Sequence, residues 1–459
     1  MDYLSILSVL AKKNIAAQSE ELRLTNGSHV AVIGGGPAGS LFAYYLLDLA
    51  ERIDLKVNID IYEPRDFTLS GPPGCNMCAG IISESLIQML ALDGINLPAT
   101  VVQRGMDSYV LHNDAGMVYL NTPEFEKRIG TVFRGAGPKN VVDNEWASFD
   151  GFLLEQATNK GANLIRKRAE AIDRFADGLQ VRTNAEPSKK YDFLAVATGV
   201  NTNAFRLFEP LDCGYKPPKM VKTYVREYFL GKDTVQKTFG QTIHFFLLPL
   251  PGLDYAAVVP KGSYVTICML GEDLSQDLFD AFLNTSQLRE CMPPEWQGSE
   301  YVCHCSPRIN LSGAVHPYSD RVVFLGDCGV SRLYKDGIGA AYRAAKAVAS
   351  TIIFSGIGEE DLEQYYGKSS QIMENDNRFG KLIFKVVDAI KPWNFTARAL
   401  VRMVESEKAK QATQRRLSNI MWDVFTGSAP YQDIFFRTLH PAFWSHFLWY
   451  MSISLIIRR

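Results

Sequence analysis

The residues best placed to do chemistry are glycines and an acid at fixed spacing. Gly34, Gly36 and Gly39 follow the apolar run Val30 to Ile33 in the order G-x-G-x-x-G, with Pro37 and Ala38 between them. The first glycine permits a tight turn, the second lets backbone approach a pyrophosphate, and the third lets a helix pack closely on a strand. Phosphates then rest on a helix N-terminus, where free N–H groups and the dipole favour negative charge. A second alternating run, Lys56 to Tyr62, ends on Glu63, 24 residues after Gly39. A ribose-binding carboxylate belongs at about that distance. Arg65 follows it, within reach of the same ligand.

Two later stretches repeat the pattern of an apolar strand ending in small residues, and a third opens a helix with them. Asp192 to Val196 leads into Ala197, Thr198 and Gly199; Arg321 to Leu325 leads into Gly326 and Asp327; Gly337, Ile338 and Gly339 open a small-residue helix. Such ends expose backbone N–H groups to a bound nucleotide, and Asp327 can accept from a sugar hydroxyl. Between Glu63 and residue 84 lies a Gly/Pro-rich loop containing Cys75, Cys78, Ala79 and Gly80. Its composition lets backbone pass close to a ligand. The Cys75–Cys78 spacing is that of a redox pair, and a thiolate there would act as proton donor or tune a redox group.

The elements that must position these residues are legible from periodicity. A helix is predicted from Leu41 to Leu49, another over Glu84 to Leu92, and a third over Asn144 to Asn159. Strand-like alternation recurs over residues 100–122 and 219–270. The second set interrupts the nucleotide unit and reads as a separate sheet with apolar faces. At 459 residues the chain should hold two or three domains, and 47% hydrophobic with 21% charged residues is globular. A formal charge of −2 gives no reason to expect nucleic acid. Eight cysteines in a chain this long do not make a secreted disulfide framework. Cys303, His304 and Cys305 do not match a zinc-ribbon spacing with Cys75 and Cys78, and no metal is expected. Residues 4–17 suggest an amphipathic helix, without the charge order of a signal peptide.

Taken together these features resemble FAD oxidoreductases of the para-hydroxybenzoate hydroxylase type, and within them the geranylgeranyl reductase family. Cys78-Ala-Gly-Ile-Ile-Ser is similar to that family's Cys-Gly-Gly-Ala-Ile-Pro segment near the flavin. Asp254-Tyr-Ala-Ala-Val-Val-Pro-Lys-Gly262 resembles its Tyr-x-Trp-x-Phe-Pro-Lys-Gly strand. The resemblance covers roughly residues 28 to 355. It implies an α/β fold: a Rossmann-like FAD-binding domain, an inserted antiparallel-sheet substrate domain and a helical C-terminal extension. The expected boundaries are an N-terminal helix over 1–25, FAD-binding segments at 26–100, 141–205 and 300–355, substrate segments at 101–140 and 206–299, and an extension over 356–459. FAD would contact Gly34, Gly36, Pro37, Ala38, Gly39, Glu63, Arg65, Cys78, Ala79, Gly80, Thr198, Gly199, Gly326, Asp327, Gly337, Ile338 and Gly339. Cys78 and Tyr255 are the candidate catalytic residues. The implied reaction is hydride delivery to a carbon–carbon double bond of a prenyl or other lipid-like substrate. Electron exchange with a quinone, monooxygenation, and service as a flavin-bearing subunit of a membrane complex are the alternatives. The electron donor stays open among NAD(P)H, a ferredoxin-like carrier and a quinol. The family's Trp and Phe fall on Ala257 and Val259 here, and Trp146 stands where many relatives place an Arg.

Residues 378–459 hold 13 Lys and Arg against 5 Asp and Glu, which leaves the rest of the chain at −10. Pro441 to Ile457 carries no charge apart from its histidine. Sixteen helical residues span about 24 Å, short of the roughly 30 Å hydrocarbon core. The expectation is a monotopic anchor with interfacial Trp and terminal Arg, on a cytoplasmic, peripherally membrane-associated protein. The competing expectation is a helix that covers the substrate domain.

Overall fold

The computed structural model describes residues 22–456 apart from 78, 124–126, 142–145, 185–186, 273 and 297–298. The helix expected over 4–17 and the candidate Cys78 lie outside the described residues.

The first strand, His29–Ile33, is the centre of a six-stranded sheet. It pairs in parallel with Asn58–Tyr62 on one side and Phe193–Val196 on the other. Val322–Phe324 and Asn163–Ile165 extend the parallel array outward, and Tyr318–Ser319 adds an antiparallel edge. Four of the five residues in each of the first two strands are buried, as a sheet covered on both faces requires. Helices Pro37–Arg52 and Gly337–Phe354 cover one face. Phe42, Leu46, Ala345 and Val348 are fully buried there. Each large apolar side chain so placed stabilises the fold by about 1.5–3 kcal/mol. The third helix begins at Phe149 rather than Asn144, because Ser148 caps it by accepting the Gly151 N–H at 3.0 Å.

The second large sheet runs, in spatial order, Cys303–Cys305, Met220–Phe229, Tyr264–Gly271, Leu253–Lys261, Thr242–Phe246, Ser108–Asn113 and Gly116–Asn121. It differs from the expected antiparallel sheet in one pairing: Thr242–Phe246 lies parallel to Ser108–Asn113. Cys303–Cys305 and Arg308–Asn310 both pair with Met220–Phe229, so this stretch belongs to the substrate sheet and not to the nucleotide unit expected from residue 300. Val102–Met106 and Ile129–Val132 also stand apart, in a small sheet completed by Ile81–Ser83.

The C-terminal extension is helical, as expected, and it lies on the substrate sheet. Trp422, Phe425 and Tyr431 share one apolar cluster with Tyr109, Phe245 and Tyr255. Trp422 meets Tyr109 edge-on at 5.1 Å, its indole N–H donates to the Lys127 carbonyl, and Phe425 stacks on Phe245 at 4.2 Å. The last helix, Pro441–Ile456, buries Phe443, Phe447 and Ser454 and exposes Trp444, Leu448, Trp449, Leu455 and Ile456. Among the described residues no helix is long and apolar enough to cross a membrane.

Candidate dinucleotide and substrate site

Three strand ends meet at one edge of the parallel sheet. Ala197 N–H donates to the Ile33 carbonyl (2.8 Å), and Leu325 N–H to the Val196 carbonyl (2.9 Å). Gly34, Thr198 and Gly326 therefore turn off side by side. Gly34 has φ +107°, and a Cβ there would sit 2.6 Å from the Ala197 carbonyl oxygen. Only glycine fits both constraints. At Gly39 a Cβ would lie 1.9 Å from the Gly34 carbonyl oxygen, so helix and turn touch backbone to backbone.

A cavity of about 810 Å³ runs from these turns to the substrate sheet. Its walls include Gly34, Gly36, Pro37, Ala38, Glu63 and Arg65 at one end, then Ala79, Thr198 and Gly199, then Asp327, Gly337 and Ile338. Tyr255 lines the far end. Gly39, Gly80, Gly326 and Gly339 stand behind the wall and act through packing. A Cβ on Gly80 would meet the Val132 carbonyl oxygen at 2.0 Å, one on Gly326 the Ala38 Cβ at 2.7 Å, and one on Gly339 the Asp336 carboxylate at 2.2 Å.

Glu63 is buried at the end of the second strand. Its Oε2 accepts the Gly35 N–H and its Oε1 the Arg65 N–H, both at 2.9 Å. The carboxylate thus stands on the cavity wall tied to the glycine turn. Arg65 donates to Asn76, Asn76 donates to the buried Asp150, and Arg134 forms an ion pair with Asp150. Arg65, Arg134 and Arg168 all reach the cavity wall. Cationic side chains on the wall of a cavity that also takes in the start of the glycine-turn helix suit a pyrophosphate. Arg134 and Arg168 carry no motif that would have singled them out.

The residues fit a flavin dinucleotide in two further respects. Gly36 leaves its Cβ position facing little besides the Asn76 amide nitrogen at 3.3 Å, so ligand backbone approach is unobstructed. Asn310 donates to the Asp327 carbonyl (2.7 Å) yet keeps a buried, unpartnered Oδ1 on the cavity lining. A buried acceptor without a donor costs about 1–3 kcal/mol, and a bound hydroxyl or ring N–H would relieve it.

Beyond the turns the wall becomes apolar: Ile81, Val225, Tyr255, Ala257, Leu270 and Ile309. Lys335 enters this end. Its ammonium lies 4.7 Å from the Tyr255 ring centre and 5.1 Å from that of Phe245. Among the described residues it has no carboxylate partner. Burial lowers its pKa to about 8, partly offset by Cys268. Burial also pushes the Tyr255 phenol well above its ordinary range, so that residue stays a neutral hydroxyl. Next to Lys335, Arg332 donates to the Gly427 and Ala429 carbonyls and stacks on Tyr431 at 4.4 Å. It fastens the C-terminal helices over the cavity. Lys335 precedes the Gly337 helix in the sequence, but its burial depends on residues 90 positions away, which no local pattern reveals. Cys75 keeps a free thiol whose Sγ accepts the Met77 N–H at 3.2 Å, and burial raises its pKa.

No family model matches the chain, and no curated protein sequence matches it. Solved structures do. A flavoprotein/dehydrogenase from Cytophaga hutchinsonii is 15% identical, with a TM-score of 0.61 over 94% of this chain and 99% of that one. The halogenase PltM, in a complex with phloroglucinol and FAD, is 12% identical, with a TM-score of 0.57 over 94% of this chain and 92% of that one. The flavin-dependent brominase Bmp2 is 12% identical, with a TM-score of 0.57 over 90% of this chain and 98% of that one. Similarity of this degree establishes the fold: the chain has the architecture of the FAD-binding flavoproteins, as the glycine turns implied.

Proposed function

We propose that this protein is an FAD-dependent oxidoreductase that reduces a carbon–carbon double bond in a lipid-like substrate. One observation carries the reading. The glycine turn, the Thr198–Gly199 strand end and the Asp327–Gly337 segment line a single cavity that continues into an apolar chamber. Bound FAD would supply a two-electron store able to release hydride to carbon. The chain would do the rest. Arg65, Arg134 and the glycine-turn helix hold the phosphates, Glu63 faces the ribose, and Ala257 widens the chamber where the geranylgeranyl reductase strand has Trp. Reduction of the double bond consumes one hydride and one proton. Lys335, with its pKa near 8, is the proton donor the geometry favours. Tyr255 then serves as an apolar wall and hydroxyl contact. The narrower resemblance, to geranylgeranyl reductases, rests on the strand at 254–262 and on Cys78.

A second reading, electron exchange with a quinone, is favoured by the same Lys335. An unpaired ammonium in an apolar chamber stabilises the oxyanion that forms as a quinone is reduced. The test is anaerobic. The flavin is reduced, then mixed with a prenyl lipid or with a quinone. Reoxidation by the prenyl lipid with consumption of its double bond supports the reductase; reoxidation by quinone alone replaces it with the second reading.

The exposed face of the last helix supports a membrane-surface location. Trp444, Leu448, Trp449 and Leu455 are all exposed on this helix, within a basic segment. We place this face against the cytoplasmic side of an anionic bilayer, from which a lipid substrate would reach the chamber.

A further inference from the structure

We propose that His112, His244 and Cys291 form a zinc site on the face of the substrate sheet opposite the cavity. Alternate residues of a strand point to opposite faces. Phe245 belongs to the Tyr255 cluster on the cavity side, so its neighbours His244 and Phe246 point away. His112 lies beside Phe246 on the adjacent parallel strand, which brings its ring to the same side. Helix Ser286–Cys291 ends on that face and adds the thiol.

The three side chains are buried, and their ligand atoms all lie within 4.8 Å of one another. His112 Nε2 and His244 Nδ1 are 2.8 Å apart, with one sharing its proton with the other. Two nitrogens and a sulfur bound tetrahedrally to zinc stand about 3.3 Å (N–N) and about 3.6 Å (N–S) apart, given bonds of about 2.0–2.1 and 2.3 Å. To reach those values the rings must part by about half an ångström and turn out of their mutual hydrogen bond, and the thiolate must close by about 1 Å. Two imidazoles and one thiolate are a donor set that suits zinc, with the thiol proton released to solvent on binding. The His112 ring is stacked on Phe246 at 4.5 Å, which fixes its orientation.

A second cavity, of about 590 Å³, opens beside the three residues and gives an ion a way in. Asp233, Glu290 and Glu295 line it, and a water from this cavity would fill the fourth position of a tetrahedral ion. An ion here would join two neighbouring strands to the helix that packs on them. It would brace the sheet from behind without touching the flavin chamber. No motif announces the site, because the two histidines are separated by 132 residues.

The experiment uses the full-length protein as purified. Zinc is measured by elemental mass spectrometry after desalting, in the wild type and in the variants H244Q and C291S, with thermal melting as a folding control. The expected result is about one zinc per wild-type chain and a loss of at least tenfold in zinc affinity in either variant. Cobalt substitution gives an independent readout in the wild type alone. Tetrahedral coordination by sulfur and nitrogen yields intense ligand-field bands at wavelengths longer than oxidised flavin absorption. If the folded wild type takes up neither metal stoichiometrically, the trio is a hydrogen-bonded imidazole pair beside a thiol and the proposal is wrong. Equal zinc in folded variants would overturn it too, by placing the metal elsewhere.

Discussion

Exchanging Gly36 and Gly39 for alanine separates two roles that their shared motif conceals. At Gly39 the added methyl would meet the Gly34 carbonyl oxygen at 1.9 Å. That atom is backbone at the end of a buried strand, so the helix must shift. Relief of glycine's entropy cost in a helix is worth at most about 0.5–1 kcal/mol. Forcing a methyl into close-packed backbone costs about 1–3 kcal/mol or more, so destabilisation wins. Gly39→Ala should lower the melting temperature of the FAD-free protein by several degrees. At Gly36 the methyl meets only the tip of the Asn76 side chain, at 3.3 Å, which need give by no more than a few tenths of an ångström. Gly36→Ala should leave the FAD-free protein as stable as the wild type. It should nevertheless weaken FAD, because the methyl occupies the approach of the pyrophosphate. An overpacking penalty of about 1–3 kcal/mol corresponds to roughly 5- to 150-fold in Kd. Differential scanning fluorimetry of the apoprotein and fluorescence titration with FAD read the two effects separately. Wild-type FAD affinity in a folded Gly36→Ala protein would refute placement of the phosphates at this turn.

Further consequences concern charge and the tail. Lys335 loses its proton near pH 8 in the folded protein against about 10.5 unfolded, so the unfolded chain binds more protons between those values and stability rises with pH across that window. Lys335→Met should therefore raise the melting temperature at pH 7, by an amount that shrinks above pH 8, while abolishing the decline of turnover through about pH 8. Asp254 is raised from its ordinary 3.8 to about 6, by burial first and then by Asp388, so its contribution to stability falls as pH rises through 4–6. Asp254→Asn should stabilise the protein at pH 7 and do little at pH 4, as judged by paired melts. Replacing Trp444 and Trp449 by serine should cut co-sedimentation with anionic vesicles severalfold, and raising salt should weaken wild-type binding; equal binding by neutral vesicles would remove the electrostatic part of the argument.

Much of the nucleotide half could be read from the chain because its constraints are local. Gly34, Gly39 and Gly326 stand where backbone or positive φ excludes a side chain, and each turn follows an apolar strand that is buried for the same reason. Glu63 falls at a strand end whose distance from the glycine turn is set by one helix. The substrate half obeyed longer-range rules. Nothing in the alternation of Thr242–Phe246 says that it pairs in parallel with Ser108–Asn113 rather than antiparallel with another strand. Cys303–Cys305, expected in the nucleotide unit from residue 300, forms an edge strand beside Met220–Phe229. Arg134 and Arg168 acquire their place only when separate segments fold around the cavity. Lys335 is perturbed by burial beside the Phe245 and Tyr255 rings, which lie far before it in the chain. The last helix packs Phe443 and Phe447 against the substrate-sheet cluster, as the covering-helix expectation required, and leaves Trp444 and Trp449 exposed.

The most direct measurement is the cofactor itself. Denatured protein should release FAD, identified by mass spectrometry at about one per chain, or the apoprotein should take up one equivalent on reconstitution with a Kd in the range common to non-covalent cofactors. A folded protein that releases no flavin and binds none when FAD is supplied would contradict the account at its root.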